Sequence, residues 1–407
     1  MNAWSMPWSS MTTWLSVAQW LLAIAVTSGM AVWLATAVCA FAFRARRKPR
    51  SGPAAGLPPI TLLKPVYGVE KNLRENLRTA CLQDYPEYQV VFSVQRRDDP
   101  AIPILRELER EFGPELVTVV VESVEVGLNG KINNLCGAFP HARHDVLVIS
   151  DSDVHLGPDF LARMVEPLAD PSVGAVTTFF RARGAERWYE KFELLTLNGD
   201  QFPMAIFASA TRITEFCFGA STAITRRTLE RIGGFEAFGH SLVEDTEMGR
   251  RIQELGQRLV AIPYVVDTTV DLRSPADWVR KQIYWDQNTI AAVPGVYAAS
   301  LCLRVIPLAL LYAALRGGDT IGLAFFATAL GVRLVTVATV FSVALGDTEG
   351  LRALWLVPIK DVLGIVWVVR AIFARTVVWR GVELSIGAGG RLSASPSSAA
   401  AVVEHGS

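Results

Sequence analysis

No charge of either sign prevails in this sequence. Its 39 lysines and arginines balance 39 aspartates and glutamates over 407 residues, which leaves no broad cationic face and excludes a nucleic-acid partner. Cysteine is scarce and scattered, at Cys39, Cys81, Cys136, Cys217 and Cys302. No two have the spacing of zinc ligands or of a Cys-x-x-Cys pair, and the odd count argues against a disulfide framework. The working part is therefore expected on a reducing, cytoplasmic side. No internal repeat is present. Basic residues are also missing ahead of the first apolar run, so that run is expected to be a membrane helix rather than a cleaved leader.

What the chain does have is apolar length. Hydrophobic residues make up 51% of it and charged ones 19%, with a mean hydropathy of +0.30. That compromise suits a soluble domain joined to membrane segments. Residues 14–43 are almost free of charge and exceed the ~20 residues needed to span a bilayer, which predicts a transmembrane helix. A basic cluster follows, Arg44, Arg46, Arg47, Lys48 and Arg50, and marks the cytoplasmic end, with the N-terminus outside. Apolar segments return at 296–315, 320–346 and 353–373, so that 296–375 reads as a C-terminal hydrophobic domain of membrane helices. Three crossings there would place the C-terminus outside, whereas Arg370, Arg375, Arg380 and Arg391 favour inside. A first segment that is interfacial or re-entrant would remove the conflict. The small and polar residues 394–407 are expected to be disordered.

Between the membrane parts the grammar is α/β. Residues 51–59 form a Pro/Gly linker. Ile60–Leu63, Tyr88–Val94, Val117–Val121 and Val146–Ile149 read as strands. Helical spacing fills the gaps at 70–82, 102–112 and 132–139, the signature of βαβ units. Beyond them, 188–197, 226–232 and 242–255 read as helices in a less regular half. A catalytic domain is expected over 57–275. Residues 276–293 follow as an amphipathic interfacial helix rich in aromatic and basic side chains: Trp278, Arg280, Lys281, Tyr284 and Trp285.

The stretch Val146-Leu-Val-Ile-Ser-Asp-Ser-Asp-Val154 organises the rest. Its apolar first half is a buried strand of a parallel sheet. It ends in Asp151 and Asp153, at the crevice where open α/β sheets bind ligands. Two carboxylates this close repel when ionised, so a cation belongs between them. Oxygen ligands suit Mg²⁺ or Mn²⁺ shared with substrate phosphates. The plain alternative is two turn residues after a strand.

Four further stretches carry a resemblance. Leu62-Leu-Lys-Pro-Val-Tyr-Gly-Val-Glu70, Gln83-Asp-Tyr-Pro86, Val94-Gln-Arg-Arg-Asp-Asp-Pro-Ala101 and Gly127-Leu-Asn-Gly-Lys-Ile-Asn-Asn-Leu135 resemble, in order and spacing, the ceramide glucosyltransferases. These are membrane-bound inverting enzymes of the GT-A (Rossmann-like) class, and the bacterial hopanoid-associated glycosyltransferases are similar over the same span, about 60–290. The resemblance implies that Asp99 contacts the uracil of a UDP-sugar; alternatively Asp98 and Asp99 cap the helix from Ile102. It implies that Asp151, with Asp153, holds the divalent metal on the diphosphate. Lys131 is then a nucleotide-sugar ligand, or else a solvated lysine at a helix start, and Asn133 and Asn134 bond ligand or the local turn. Within Glu244-Asp245 it makes Asp245 the general base on the acceptor hydroxyl; alternatively the pair only steadies a helix N-terminus. The family's terminal (Gln/Arg)-x-x-Arg-Trp stands here as Lys281-Gln-Ile-Tyr-Trp285. Tyr284 replaces an arginine that grips diphosphate bidentately, so either Lys281 or Arg280 supplies the charge, or the metal carries more of it. Gly219, Ala220, Glu244 and Trp285 are expected at the acceptor, with Trp278 nearer the membrane. The small residues Gly219-Ala-Ser-Thr222 equally suit a tight strand crossing.

The expectation is an inverting transfer of one hexose, from UDP-glucose, to the hydroxyl of a membrane lipid, ceramide, by a multi-pass protein of a bacterial inner membrane or its equivalent with a cytoplasmic catalytic domain. The alternatives are a hopanoid N-acetylglucosaminyltransferase, a processive polysaccharide synthase, and a lipid-binding scaffold without activity.

Overall fold

The computed structural model of the chain describes residues 8–47, 56–212, 217–379 and 382–394. The expected disorder of 395–407, linker residues 51–55 and the basic residues Lys48, Arg50 and Arg380 lie outside the described residues.

A mixed sheet forms the centre. Its strands are β1 (Ile60–Pro65), β2 (Tyr88–Val94), β3 (Val117–Val121), β4 (Val146–Ser150), β5 (Val154–His155), β6 (Val173–Arg183), β7 (Ser221–Thr225) and β8 (Arg258–Thr269). They lie in the order β3-β2-β1-β4-β7-β6-β8-β5. β3, β2, β1 and β4 are parallel, while β7 runs antiparallel to both β4 and β6. Ile60, Leu62 and Leu63 of β1 and Leu147 and Val148 of β4 are fully buried, as strands covered on both faces must be. The chain leaves β1 toward β2 on one side and meets β4 on the other, so the crevice beyond their carboxyl ends is a topological switch point.

The helices are, in chain order, α1 (Trp8–Arg46), α2 (Leu73–Ala80), α3 (Ile102–Phe112), α4 (Gly130–Ala138), α5 (Phe160–Val165), α6 (Trp188–Thr196), α7 (Phe202–Thr211), α8 (Arg226–Arg231), α9 (Glu244–Glu254), α10 (Pro275–Ala292), α11 (Pro294–Ser300), α12 (Val305–Leu315), α13 (Thr320–Thr339), α14 (Thr348–Ala353) and α15 (Val357–Phe373). Two departures from the expected bounds have local causes. The helix expected from residue 70 begins only at Leu73, because Asn72 is left-handed at φ 61°. The one expected from 242 begins at Glu244, because Val243 is non-helical at ψ 74°.

The long strands β6 and β8 were not anticipated. Pro263 inside β8 reads as a breaker, yet it sits in a bulge, where Ile262 pairs Thr178 and Val265 pairs Phe179. Nor were the last strands, β9 (Thr376–Trp379), β10 (Val382–Ile386) and β11 (Leu392–Ala394), which form a separate antiparallel sheet. That sheet returns to the catalytic domain. Leu392 N–H donates to the His240 carbonyl at 2.7 Å and Leu242 N–H to the Gly390 carbonyl at 2.9 Å.

Among the described residues, two helices are long and apolar enough to cross a membrane, Trp14–Arg46 and Thr320–Leu345. Pro294–Leu303 and Val305–Leu315 make a third candidate, bent by 57°. The inner end of α1 is packed into the catalytic domain by Phe43, whose ring lies 5.0 Å from Phe179 and 5.5 Å from Phe202. Within α10, Trp278 is buried between α6 and α15, stacked on Phe192 at 5.0 Å and edge-on to Trp367 at 5.6 Å.

Candidate active site

β4 ends at Ser150, and Asp151 and Asp153 leave its carboxyl end. Lys64, at the end of neighbouring β1, holds the turn that carries them. Its ammonium is fully buried and donates to the carbonyls of Asp151 at 2.8 Å and Val154 at 3.0 Å. Burial pulls this lysine down to about 8, against the attraction of Asp153 and Asp151. Asp153 accepts from Thr268 at 2.6 Å, and Glu70 accepts from Ser152 at 2.8 Å. Burial and then the charge of Asp153 push Glu70 up to about 7. Burial and then Asp151 raise Asp153 likewise. Asp153 and Asp151 thus both act against an ionised Glu70.

Lys131 joins this group to a second one. Its ammonium lies 2.7 Å from Asp151 and 3.2 Å from Glu244, and donates to the Gly219 carbonyl at 3.3 Å. Burial opposes its charge, but Asp151 and Glu244 outweigh burial and raise its pKa. The solvated alternative is therefore excluded. Asn129 caps α4 by accepting from Lys131 and Ile132 N–H, and its amide donates to Glu244 at 3.0 Å. The two loops meet backbone to backbone: a Cβ on Gly127 would stand 2.2 Å from the Gly239 carbonyl oxygen, an approach only glycine permits.

Glu244 and Asp245 open α9, where a helix N-terminus favours negative charge. Asp245 is set against bare backbone, since a Cβ on Gly219 would lie 2.9 Å from its Oδ2. Burial and then Glu244 push its carboxyl up to about 7. Ala220 is buried beside it, and its carbonyl accepts from Asp151 N–H at 3.3 Å. The structure therefore brings Asp151, Lys131, Gly219, Ala220, Glu244 and Asp245 together, from four separate segments.

The remaining expected residues are placed differently. Asp99 stands in the loop that follows the carboxyl end of β2, and β1 lies between β2 and β4. It is buried, accepting from Gly68 N–H at 3.0 Å and Ala101 N–H at 2.9 Å, while no side chain caps the helix from Ile102, Asp98 bonding Arg96 instead. Asn133 bonds Val126 and Gly127, the local-turn alternative, whereas Asn134 reaches across to the Val66 carbonyl just past β1. Arg280 pairs with Asp277 on the exposed face of α10. Lys281 points inward instead. Burial disfavours its charge, but Glu193 and Asp153 outweigh that and raise its pKa. Trp285 is oriented by the same Glu193, its indole donating at 3.1 Å.

Sequence reasoning missed Lys64, Glu70 and Glu193. The first two lie inside the quoted 62–70 stretch. Glu193 is fully buried on α6 and gathers Trp285, Gln282 at 2.6 Å and Lys281 at 3.4 Å. Among the described residues, no three or more of His, Cys, Asp and Glu are grouped to hold a metal ion by themselves.

A mixed sheet with acidic residues at its switch point defines the class: this is a GT-A fold, the α/β fold of nucleotide-sugar glycosyltransferases. A mannosyltransferase from Pyrobaculum calidifontis, solved with GDP-mannose and Mn²⁺, shares it at a TM-score of 0.51 and 20% identity, over 86% of this chain and 99% of that one. The chain belongs to glycosyl transferase family 21, whose family profile matches residues 21–392. It is 25% identical over 205 residues to ceramide glucosyltransferase 1 of Caenorhabditis elegans, which is 50% of this chain and 44% of that protein. It is 24% identical over 247 residues to ceramide glucosyltransferase 3 of the same organism, 60% and 53% of the two chains. A ceramide glucosyltransferase of Gibberella zeae matches at 32% over 128 residues, 29% of this chain and 24% of that one. The chain thus spans about half the length of the two nematode relatives.

Proposed function

We propose that this protein transfers glucose from UDP-glucose to the hydroxyl of a membrane lipid, ceramide, with inversion at the anomeric carbon. The observation that supports it best is the pairing of a buried, elevated carboxylate, Asp245, with the Lys131–Asp151 pair beside it. In this reading Asp245 accepts the acceptor hydroxyl's proton as the new C–O bond forms. The anomeric carbon–phosphate oxygen bond breaks on the opposite face, and its electron pair leaves with UDP. Lys131 and Lys281 hold cationic charge where the diphosphate gathers negative charge. Gly219 leaves room for the acceptor against the base.

The residues fit a divalent cation. Asp151 and Asp153 are oxygen donors at one strand end, and the upward pressure on Asp153 and Glu70 is what a cation would relieve. Two protein carboxylates with substrate phosphates and water are the usual Mg²⁺ or Mn²⁺ complement. Bound there, the ion would neutralise charge on the departing diphosphate. Asp99 remains the proposed uracil contact and Trp285 the proposed acceptor platform.

Asp245→Asn is the decisive variant. Membranes bearing it should bind UDP-glucose with affinity within about threefold of the parent yet lose transfer by ~10³-fold or more. Unchanged turnover would refute the base assignment. Offering each UDP-sugar with ceramide or with a hopanoid polyol, and identifying the lipid product by mass spectrometry, tests donor and acceptor. A product only from the hopanoid and UDP-N-acetylglucosamine would replace the ceramide reading.

A further inference from the structure

The three C-terminal apolar segments behave differently against α1, and hydrogen bonds fix their levels. The Leu303 carbonyl at the start of α12 accepts from Trp33 at 2.9 Å, and the Leu315 carbonyl at its end accepts from Gln19 at 2.9 Å. The bent pair α11–α12 therefore climbs toward the outer end of α1. α13 descends again: Thr336 donates to the Trp33 carbonyl at 3.2 Å, and the Ala344 carbonyl accepts from Arg47 at 3.0 Å. These two legs cross in opposite directions and return the chain to the catalytic side.

α14 and α15 never leave that side. Before α14, Asp347 accepts from Asn198 at 2.8 Å. At its first turn, Glu349 accepts from Gly184 N–H at 3.1 Å, just past β6. After α15, Gln287 of α10 donates to the Thr376 carbonyl at 2.9 Å, and the next strands pair with His240–Leu242. A helix spanning the bilayer cannot have both ends bonded to one globular domain. α15 itself is 17 residues long, about 25 Å along its axis.

Its exposed face is nonetheless apolar. Trp355, Ile359, Val362, Val366, Val369 and Phe373 are between 41% and 79% exposed and recur at helical spacing on one side. The opposite side buries Lys360, Asp361 and Gly364. Gly364 meets Arg304 at the foot of α12, and Asp361 bonds Arg333 of α13 at 2.9 Å. The stripe is thus continuous with the crossing bundle, whose own outer faces (Leu310 and Leu311, Ile321 and Leu323) are exposed and apolar. Arg352, Arg370 and Arg375 flank it, as cations do beside an anionic leaflet surface.

We propose that α14–α15 lies flat in the leaflet on the catalytic side, its apolar stripe in the lipid. The chain then crosses three times, by α1, α11–α12 and α13, and its C-terminal sheet shares the catalytic side. This reverses the sequence-based choice, in which the first of the three segments was the one that failed to cross. It also satisfies the arginines after residue 369.

Depth measurements on the full chain in phosphatidylcholine–phosphatidylglycerol vesicles test this. Ile359→Cys and Phe373→Cys, spin-labelled and read against unlabelled-variant background by oxygen and nickel-chelate collision, stand 14 residues apart, about 21 Å along the axis. A flat helix puts both labels at one shallow depth, within a few ångströms; a spanning helix separates them by most of that length, and a face covered by protein or water places both outside the lipid. Either of the last two results overturns the proposal. Independently, a membrane-impermeant maleimide should reach Thr320→Cys and Ser393→Cys from opposite sides. Labelling of both from one side would also overturn it.

Discussion

Asp245 is ionised only against its surroundings, because burial and Glu244 hold its carboxyl near 7. A base works only when deprotonated, so kcat/KM should rise with pH through about 7 and then level, one proton being lost. A profile already flat from pH 5.5 would count against Asp245 as base. The same elevation has a stability side. A carboxyl raised in the folded state stabilises below its unfolded value, near 4, and that contribution is lost as pH climbs to 7. Asp245→Asn cannot ionise, so it should melt a few degrees above the parent at pH 8 and together with it near pH 4. Calorimetry at the two pH values reads this directly. Glu193 offers a second residue-scale test. Glu193→Gln keeps its shape but removes the charge facing Lys281 and leaves one donor pair opposed. The value of kcat/KM should fall about tenfold or more, with the larger part in KM for the UDP-sugar. An equal loss of folded protein with unaltered kinetics would make Glu193 merely structural.

At the scale of elements, the motif-bearing half was open to reading and the rest was not. Asp151, Lys131 and Asp245 end apolar runs or open helices, positions whose periodicity shows in one dimension. Glu193 and Lys64 look, in sequence, like any solvated charge; their burial follows from α6 meeting α10 and from β1 lying beside β4. β8 hid behind Pro263, and β9–β11 behind a short, basic, glycine-rich tail. Those last strands have a consequence for catalysis. They extend an antiparallel bridge to Ser241 and cluster Leu384 and Leu392 with Leu242 and Tyr284, close to Asp245, the proposed base. Ending the chain at Arg375 should therefore free the loop 239–243. Transfer should drop by about 10²-fold, as a displacement near 1 Å does, while UDP-sugar affinity, for which the proposed site lies on the β1–β4 side, should change little. Retained transfer in that truncated enzyme would show that the sheet does not position Asp245.

Over the whole molecule, four charges join the membrane bundle to the catalytic domain. Arg333 of α13, nearly unexposed, bonds Asp200, Asp361 and the Gly199 carbonyl, and lies 4.0 Å over the Trp33 ring of α1. Lys360 pairs with Asp200 and Asp361. Asp200 and Gly199 belong to a π-helical turn, Leu197–Gln201, and such a turn leaves a carbonyl without its helical partner; here the guanidinium takes it. Two cations and two anions leave the cluster neutral, which is how buried charge is tolerated. Arg333→Met removes one sign and strands a buried anion, at a cost of about 3–5 kcal/mol. Arg333→Met with Asp361→Asn restores neutrality around the remaining Lys360–Asp200 pair, so the double variant should be more stable than the single one despite the extra change. Thermal unfolding in detergent of parent, both singles and the double measures the sign of that coupling. Additive losses would mean that the four side chains act separately and that the bundle is held to the catalytic domain by its apolar contacts alone, chiefly Phe43 against Phe179 and Phe202.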